Sequence, residues 1–386
     1  MHALVRPATS ASVRWLASVA FLAVAGCSLS STSSTDPAPA EIAVPVGSSG
    51  DSAGTKRLIL ITNGESPFWD AARAGLQDAE KDLNIAQAGL TAVMEINDGT
   101  PAGQIAKLRQ YDTQSDVAGI AISVIDADNS AIADELRKLK AKGVQIVTVD
   151  SDVNRERLRD ARTAFIGTDN LAGGRELGVC AKNLRPDGGE YVTFVGKTGA
   201  QNAIERVGGF AEGAGAKFKS LDNMGDDLDR PRARENVRNA IANHPGLNTL
   251  VGIWSYNAPA IVDVVKELGK RDKLTVVVFD AEPLAIRQMA DGQIDAMVVQ
   301  NPYQMGYQSV RLLKALVAGD NATVHEILPN LDDKNAADGD IYDTGLKVVV
   351  PDAKSPLKKE MFGPKTEFLL LDEFREWLKK YNLTGS

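Results

Sequence analysis

From Arg57 to Val350 the sequence alternates between two patterns, and that alternation restricts the chain to one class of architecture. Short β-branched runs read as buried strands: Leu58–Thr62, Thr91–Ile96, Gly119–Ile122, Gln145–Val149 and Arg162–Ile166. Helical patterns lie between them, at Phe68–Leu83, Pro101–Gln114 and Asn129–Lys142. A second series follows: strand Glu190–Val195, helix Asn202–Lys217, a strand near Met224 and helix Arg230–His244. It continues with strand Thr249–Ile253, helix Ala258–Leu268, strand Leu274–Phe279, helix Glu282–Asp291 and strand Ala296–Val299. Strands alternating with helices of about 10–15 residues build parallel sheets with helices on both faces. Two such series predict an α/β protein of two doubly wound, Rossmann-like lobes.

In open α/β sheets the chemistry collects just beyond the carboxyl ends of the strands. In the first series those positions read Asn63-Gly64-Glu65-Ser66-Pro67-Phe68-Trp69, then Ser123-Val124-Ile125-Asp126, then Asp150-Ser151-Asp152. In the second they read Gly196-Lys197-Thr198-Gly199, Trp254-Ser255-Tyr256-Asn257, Asp280-Ala281-Glu282 and Gln300-Asn301-Pro302, with Arg206 nearby. Aromatic faces, single carboxylates, amides and one guanidinium suit a neutral polyhydroxyl ligand. Carboxylates accept from hydroxyls, Arg and Asn donate to oxygens, and rings cover an apolar sugar face.

Each of these residues also has a plainer reading. Phe68 and Trp69 can start a helix and pack inward, although two adjacent rings cannot both face one way. Asp150 can be a turn or cap residue. Arg206 can pair with Glu205, and Asn257 can cap the helix that starts at Ala258. Asp280 follows the apolar run Val276–Phe279, where a carboxylate is costly unless paired. Gln300 can serve the pocket or a chain crossing, and Trp254 can be core or wall.

The remainder of the sequence narrows function. Arg6 and Arg14 precede an apolar run from Trp15 to Gly26, too short to span a bilayer, which reads as a secretory signal. The segment Leu22-Ala23-Val24-Ala25-Gly26-Cys27 resembles a bacterial lipoprotein signal, which implies acylation of Cys27 and a lipid anchor. Residues 27–55, rich in Ser, Thr, Pro, Ala and Gly, read as a flexible tether. Without residues 1–26 the chain has 41 Lys+Arg against 51 Asp+Glu, which argues against a nucleic-acid partner and a polybasic membrane patch. Cys180, the only other cysteine, sits in an apolar helical stretch and reads as a buried structural thiol. His2, His244 and His325 are isolated, and no metal-ligand spacing, nucleophile elbow or phosphate loop is evident, so no metal or cofactor is expected.

The ordered segments together resemble the type I periplasmic binding proteins of ABC transporters, in particular their ribose-binding branch, over roughly residues 57–350. Ser66-Pro67-Phe68-Trp69 resembles the sugar-stacking segment after the first strand. Val149-Asp150-Ser151 resembles a segment that usually reads Asp-Arg. Phe165–Asn170 resembles the first crossing between lobes, and Asn202–Phe210 the Arg-x-x-Gly-Phe helix start, with Arg206 in the ligand-contacting place. Asn257, Asp280 and Gln300 match the second-lobe asparagine, aspartate and post-strand glutamine. Three departures stand out: Ser66 for a usual Asn, Ser151 for a usual Arg, and Leu228 for a stacking Phe. Trp254 is an additional aromatic. A sugar other than ribose is therefore expected.

The resemblance implies a ligand site formed by Ser66, Phe68, Trp69, Asp150, Ser151, Arg206, Trp254, Asn257, Asp280 and Gln300, with no catalytic residue. It implies a three-stranded hinge near Gly167–Asp169, Gln300–Pro302 and Gly345–Val350. The expected division is 56–167 with 301–340 as lobe 1, 168–300 with 341–352 as lobe 2, and an extension at 353–386. Leu346–Val350 reads as a final strand, and Glu367–Leu378 as an amphipathic helix that lies on a lobe or meets a partner. The implied function is that of a monomeric, extracytoplasmic, lipid-anchored sugar-binding component that closes on its ligand and docks on a permease. A receptor subunit presenting a sugar-like signal is the alternative. A glycosidase pair of Asp150 and Asp280 and a transcription regulator, which needs a DNA-binding helix-turn-helix, are weaker readings.

Overall fold

The structure is a computed structural model that describes residues 54–386; the signal at 1–26, Cys27 and the tether up to residue 53 lie outside them. The first series comprises β1 (Lys56–Ile61), α1 (Phe68–Asp82), β2 (Leu90–Glu95), α2 (Pro101–Asp112), β3 (Val117–Ile122), α3 (Ser130–Ala141), β4 (Gln145–Val149) and β5 (Ala164–Gly167). The second comprises α4 (Asn170–Leu184), β6 (Gly189–Val195), α5 (Gln201–Ala214), β7 (Phe218–Gly225), α6 (Arg230–Asn243), β8 (Leu247–Gly252), α7 (Asn257–Glu267), β9 (Thr275–Phe279), α8 (Pro283–Ala290) and β10 (Ala296–Val299). The chain ends with α9 (Pro302–Ala318), α10 (Asn321–Ile327), β11 (Ile341–Asp343), β12 (Leu346–Val350), β13 (Thr366–Leu370) and α11 (Leu371–Lys380).

Two sheets result. The first runs β2-β1-β3-β4-β5-β11, parallel throughout. The second runs β7-β6-β8-β9-β10-β12-β13, parallel except where β12 meets β10. Central strands such as β3 and β9 are buried at every residue, as strands covered on both faces must be. Two apolar clusters flank each sheet. Helix starts are fixed locally: the side chains of Thr100, Asn129, Asp169 and Asp229 each accept a first-turn backbone N–H.

Helix α9 returns to the first lobe and lies directly against α1. A Cβ at Gly75 would stand 1.9 Å from the Tyr303 carbonyl oxygen, and one at Gly306 the same distance from that of Ala72. Only glycine permits that approach.

The chain crosses between sheets three times, at 168–169, 300–301 and 344–345. Thr344 binds the first crossing directly: its N–H and hydroxyl both donate to the Gly167 carbonyl, at 2.7 and 3.1 Å. Residues 341–343, assigned by sequence to the second lobe, pair with β5 in the first sheet. The lobe boundary therefore falls three residues later than expected, next to the crossing expected near Gly345–Val350. Leu346–Val350 is not the last strand, because residues 366–370 add β13 in parallel beside it. Of the stretch Glu367–Leu378, read as an amphipathic helix, only 371–378 is helical, within α11, and 367–370 is strand. A run that fits a helical face was claimed by a strand partner that adjoins it only in three dimensions.

Candidate functional site

Both sheets point their carboxyl ends into one cleft, where the first-sheet order reverses around β1 and β3 and the second around β6 and β8. A narrow cavity lies there, lined by Asn63 to Ser66, Phe68, Trp69 and Asp150 from the first lobe and by Asn202, Arg206, Leu228, Trp254–Tyr256 and Asp280 from the second.

The lobes meet around this cavity. Ala127 N–H donates to the Gly199 carbonyl at 3.0 Å, and the Ser66 hydroxyl lies 3.0 Å from that of Ser255. The Ser66 hydroxyl also donates to Glu282 at 3.3 Å. Arg155 of the first lobe pairs with Glu205 of the second at 3.2 Å. The arrangement is closed.

Two carboxylates and one guanidinium form the polar floor. Asp150 follows β4 and accepts from Ser123 at 2.8 Å, and from Asn63 and Asn202 at 3.4 Å. Burial pushes its carboxyl above the usual range, with Arg206 and the Ser123 and Asn202 donors opposing. Asp280 follows β9, accepts from Gln300 at 2.9 Å and lies 3.9 Å from Arg206 Nη1. Its carboxyl is pushed up to about 7 by burial, against the pull of Arg206 and Gln300. Arg206 is wholly buried. Its Nε donates to Asn170 and its Nη1 to the Ile253 carbonyl, at 2.9 and 3.1 Å, and the guanidinium lies 3.9 Å above the centre of the Phe279 ring. Its Nη2 has no protein partner, leaving an unused donor. Burial lowers its affinity for its proton, while Asp280 and Asp150 oppose that.

Aromatic groups make the walls. Phe68 and Trp69 stand edge to face at 5.1 Å and both line the cavity, contrary to the expectation that adjacent rings face apart, because neighbours on a helix start are only about 100° apart and two large rings can share one wall. Trp254 also lines it, with its indole N–H donating to Asn202 at 3.1 Å. Asn202 therefore ties an aromatic wall to Asp150. Tyr256 donates to Asp226, whose carboxyl burial raises to about 6.

Seven of the ten residues singled out in the sequence line the cavity: Ser66, Phe68, Trp69, Asp150, Arg206, Trp254 and Asp280. Ser151, Asn257 and Gln300 do not. A tight turn, with Ser151 N–H 2.6 Å from the Val149 carbonyl, leaves the Ser151 hydroxyl buried without a partner. Asn257 begins α7 rather than capping it; it accepts from Trp254 N–H at 3.0 Å and donates to Asp226 at 2.9 Å, so it shapes the loop behind the wall. Gln300 acts on the cavity through Asp280. Asn63, Gly64, Glu65, Ser255 and Tyr256 were strand-end residues without distinctive chemistry, and Asn202 lay in the segment quoted for Arg206. In the sequence Leu228 stands out only as a departure from the ribose-binding pattern.

The sequence pattern described as periplasmic binding protein domain matches residues 58–321. The chain belongs to the periplasmic binding protein family. Its two lobes are those of type I members. This binding protein is 24% identical over 267 residues to the D-allose-binding periplasmic protein of Escherichia coli K12, a match covering 68% of this chain and 84% of that one. It is also 24% identical over 264 residues to the ribose import binding protein RbsB of Salmonella typhimurium, with the same coverage, 68% and 84%. A solved ABC transporter solute-binding protein from Burkholderia graminis, in complex with D-arabinose, superposes with a TM-score of 0.66 at 25% identity, covering 80% of this chain and all of that one. One from Agrobacterium vitis shares the fold, with a TM-score of 0.67 at 22% identity over 79% of this chain and 98% of that one.

Proposed function

We propose that this binding protein is the substrate-binding component of an ABC importer, taking a monosaccharide-like ligand in the cleft and delivering it to the membrane permease by lobe closure. The observation that carries this reading is the composition of the cavity. Asp150 and Asp280 offer acceptors to hydroxyls, Arg206 Nη2 offers an unused donor, and the rings of Phe68, Trp69 and Trp254 offer faces to C–H surfaces. Relatives named for D-allose and ribose, and a structural neighbour holding D-arabinose, support a sugar as the class. Ser66, Phe68, Trp69, Asp150, Arg206, Trp254 and Asp280 are the contacts. Gln300 and Asn257 support them from behind.

Closure is a population shift: a ligand that contacts both lobes favours the arrangement in which both contacts exist. Leu228 in place of a ring and Ser151 in place of a guanidinium favour a sugar other than ribose. The monomeric protein works outside the cytoplasmic membrane, in the periplasm, held there by a lipid on Cys27, without a cofactor or catalysis.

The test is a thermal-shift screen of the full chain against pentoses, hexoses, polyols and other small metabolites. A ligand that binds only the folded state adds about 2.7 kcal/mol at 100 times its Kd. One or two sugars should raise Tm clearly. A hit confined to non-sugars overturns the ligand class, and selective, tight binding of ribose overturns the specificity argument.

A further inference from the structure

The residues after 321, where the family match ends, include an extension that touches both lobes and the cleft loop. It is anchored in the second lobe. Strand β13 pairs with β12, and Leu371, Phe374 and Leu378 of α11 are buried in the core on one face of the second sheet. Lys347 of β12 sits 4.5 Å from the centre of the Trp377 ring.

From this anchor the chain reaches two places that the lobe itself does not need. The Tyr381 ring packs on Tyr303 with centres 4.9 Å apart, and Tyr303 belongs to α9 of the first lobe, where its hydroxyl donates to Asp78 of α1 at 3.0 Å. Ser386, almost wholly buried, makes a pair of backbone hydrogen bonds with Ala281, at 2.7 and 3.0 Å. Its hydroxyl donates to the Gln300 carbonyl at 2.8 Å. Ala281 follows Asp280, and Gln300 is both the second crossing and the donor to Asp280. One short segment thus binds the cavity carboxylate's loop, a hinge strand and the opposite lobe.

We infer that residues 366–386 are a hinge brace, with Ser386 positioning Asp280 and Tyr381 holding the lobes in the closed arrangement. The inference rests on the cleft reading above, since a brace has meaning only where the lobes move. A contact made equally in the open and closed forms shifts nothing. The brace therefore predicts that Tyr381–Tyr303 is weakened on opening.

The experiment follows hydrogen exchange of the full chain without any ligand, so failure of the sugar screen does not touch it. The reporter is the Ala127 amide, which is bonded across the cleft to Gly199. Tyr381→Leu and Ser386→Ala, which remove the two contacts separately, should each speed its exchange by about fivefold or more. Lys379→Ala, which removes an exposed charge of α11, should not. The Asp280 carboxyl, followed by NMR, should titrate at a different pH in Ser386→Ala and unchanged in Lys379→Ala. Unchanged Ala127 exchange in both Tyr381→Leu and Ser386→Ala overturns the brace. If a variant also releases the β13 amides, faster Ala127 exchange supports the brace, and retained Ala127 protection overturns it. An unaltered Asp280 titration in Ser386→Ala overturns the positioning role.

Discussion

Asp150 and Asp280 are counterparts in the two lobes. Each directly follows a central parallel strand, each donates its N–H to the neighbouring strand (to Ile166 at 3.0 Å and Val298 at 2.7 Å), and each is left-handed, with φ of 62° and 66°. Residues other than glycine seldom hold that conformation, and where they do the surroundings must impose it. Here the next strand imposes it on both sides, and the result is two carboxyls turned into one cavity with Arg206 in electrostatic reach of both.

That geometry makes stability depend on pH with a definite sign. Burial raises the Asp280 carboxyl to about 7 in the folded protein, above the ~3.9 of an unfolded aspartate. The folded state therefore holds this proton more tightly. The contribution is fully present below pH ~4 and is lost as pH rises towards 7. Asp226, raised to about 6, acts in the same direction, while Asp152 and Asp340, held low by arginines, act in the opposite one. The difference between wild type and Asp280→Asn isolates the term. In urea titrations of unliganded protein, the wild type should lose up to ~1.4 kcal/mol per pH unit relative to Asp280→Asn across that window. Parallel pH profiles for the two proteins would refute it.

Among the described residues, Arg206 is the only guanidinium lining the cavity. Removing one partner of a buried charge cluster leaves the others uncompensated, at a cost of about 3–5 kcal/mol. Arg206→Met should therefore destabilise strongly at pH 8, where Asp280 is ionised. The loss should shrink at pH 5, where Asp280 carries its proton. Urea unfolding at both pH values measures this; a loss that is independent of pH would mean that packing on Phe279, rather than charge, is what Arg206 supplies.

A second buried ion pair lies away from the cavity. Arg162 is fully enclosed, donating to Asp152 at 3.0 and 2.7 Å and to Asp340, the residue directly before β11. It ties the end of β4 to the segment that leads into the third crossing. Asp152→Asn should cost about 3–5 kcal/mol in chemical denaturation, with no change in which sugars shift Tm. A cost under about 1 kcal/mol, as for a surface pair, would show the pair to be dispensable.

The strands and helices of both lobes were legible because buried parallel strands have a simple signature and Asx or Thr caps mark the helix starts. The strand-end rule located the cleft. It could not say which way a side chain turns. Asp150 and Ser151 are adjacent, yet only the first reaches the cavity, because the tight turn between Val149 and Ser151 hides the hydroxyl. Asn257 and Gln300 occupy the matched positions but spend their amides on Asp226 and Asp280. The brace was illegible for a different reason. Its partners, Tyr303, Ala281 and Gln300, lie 78–105 residues earlier in the chain, so no local pattern announces the contact.

Leu228 provides the most direct test of closure. It belongs to the second lobe, is itself left-handed at φ 67°, and seats its Cδ1 between Gly64 and Gly99 of the first lobe. A Cβ on Gly99 would lie 2.6 Å from that methyl group, closer than packed carbons approach. Gly99→Ala should therefore oppose closure while leaving each lobe folded. Gly89→Ala supplies the control: its φ of 67° resembles the 79° of Gly99, but nothing lies within 4 Å of the added carbon. Both substitutions place an alanine at positive φ, so a difference between them reports the socket. Gly99→Ala should speed exchange of the Ala127 amide, enlarge the scattering radius and reduce the Tm shift from any sugar that wild type binds. Gly89→Ala should do none of these, and adding Leu228→Ala to Gly99→Ala should restore protection by vacating the socket. If Gly99→Ala and Gly89→Ala behave alike, Leu228 does not control closure.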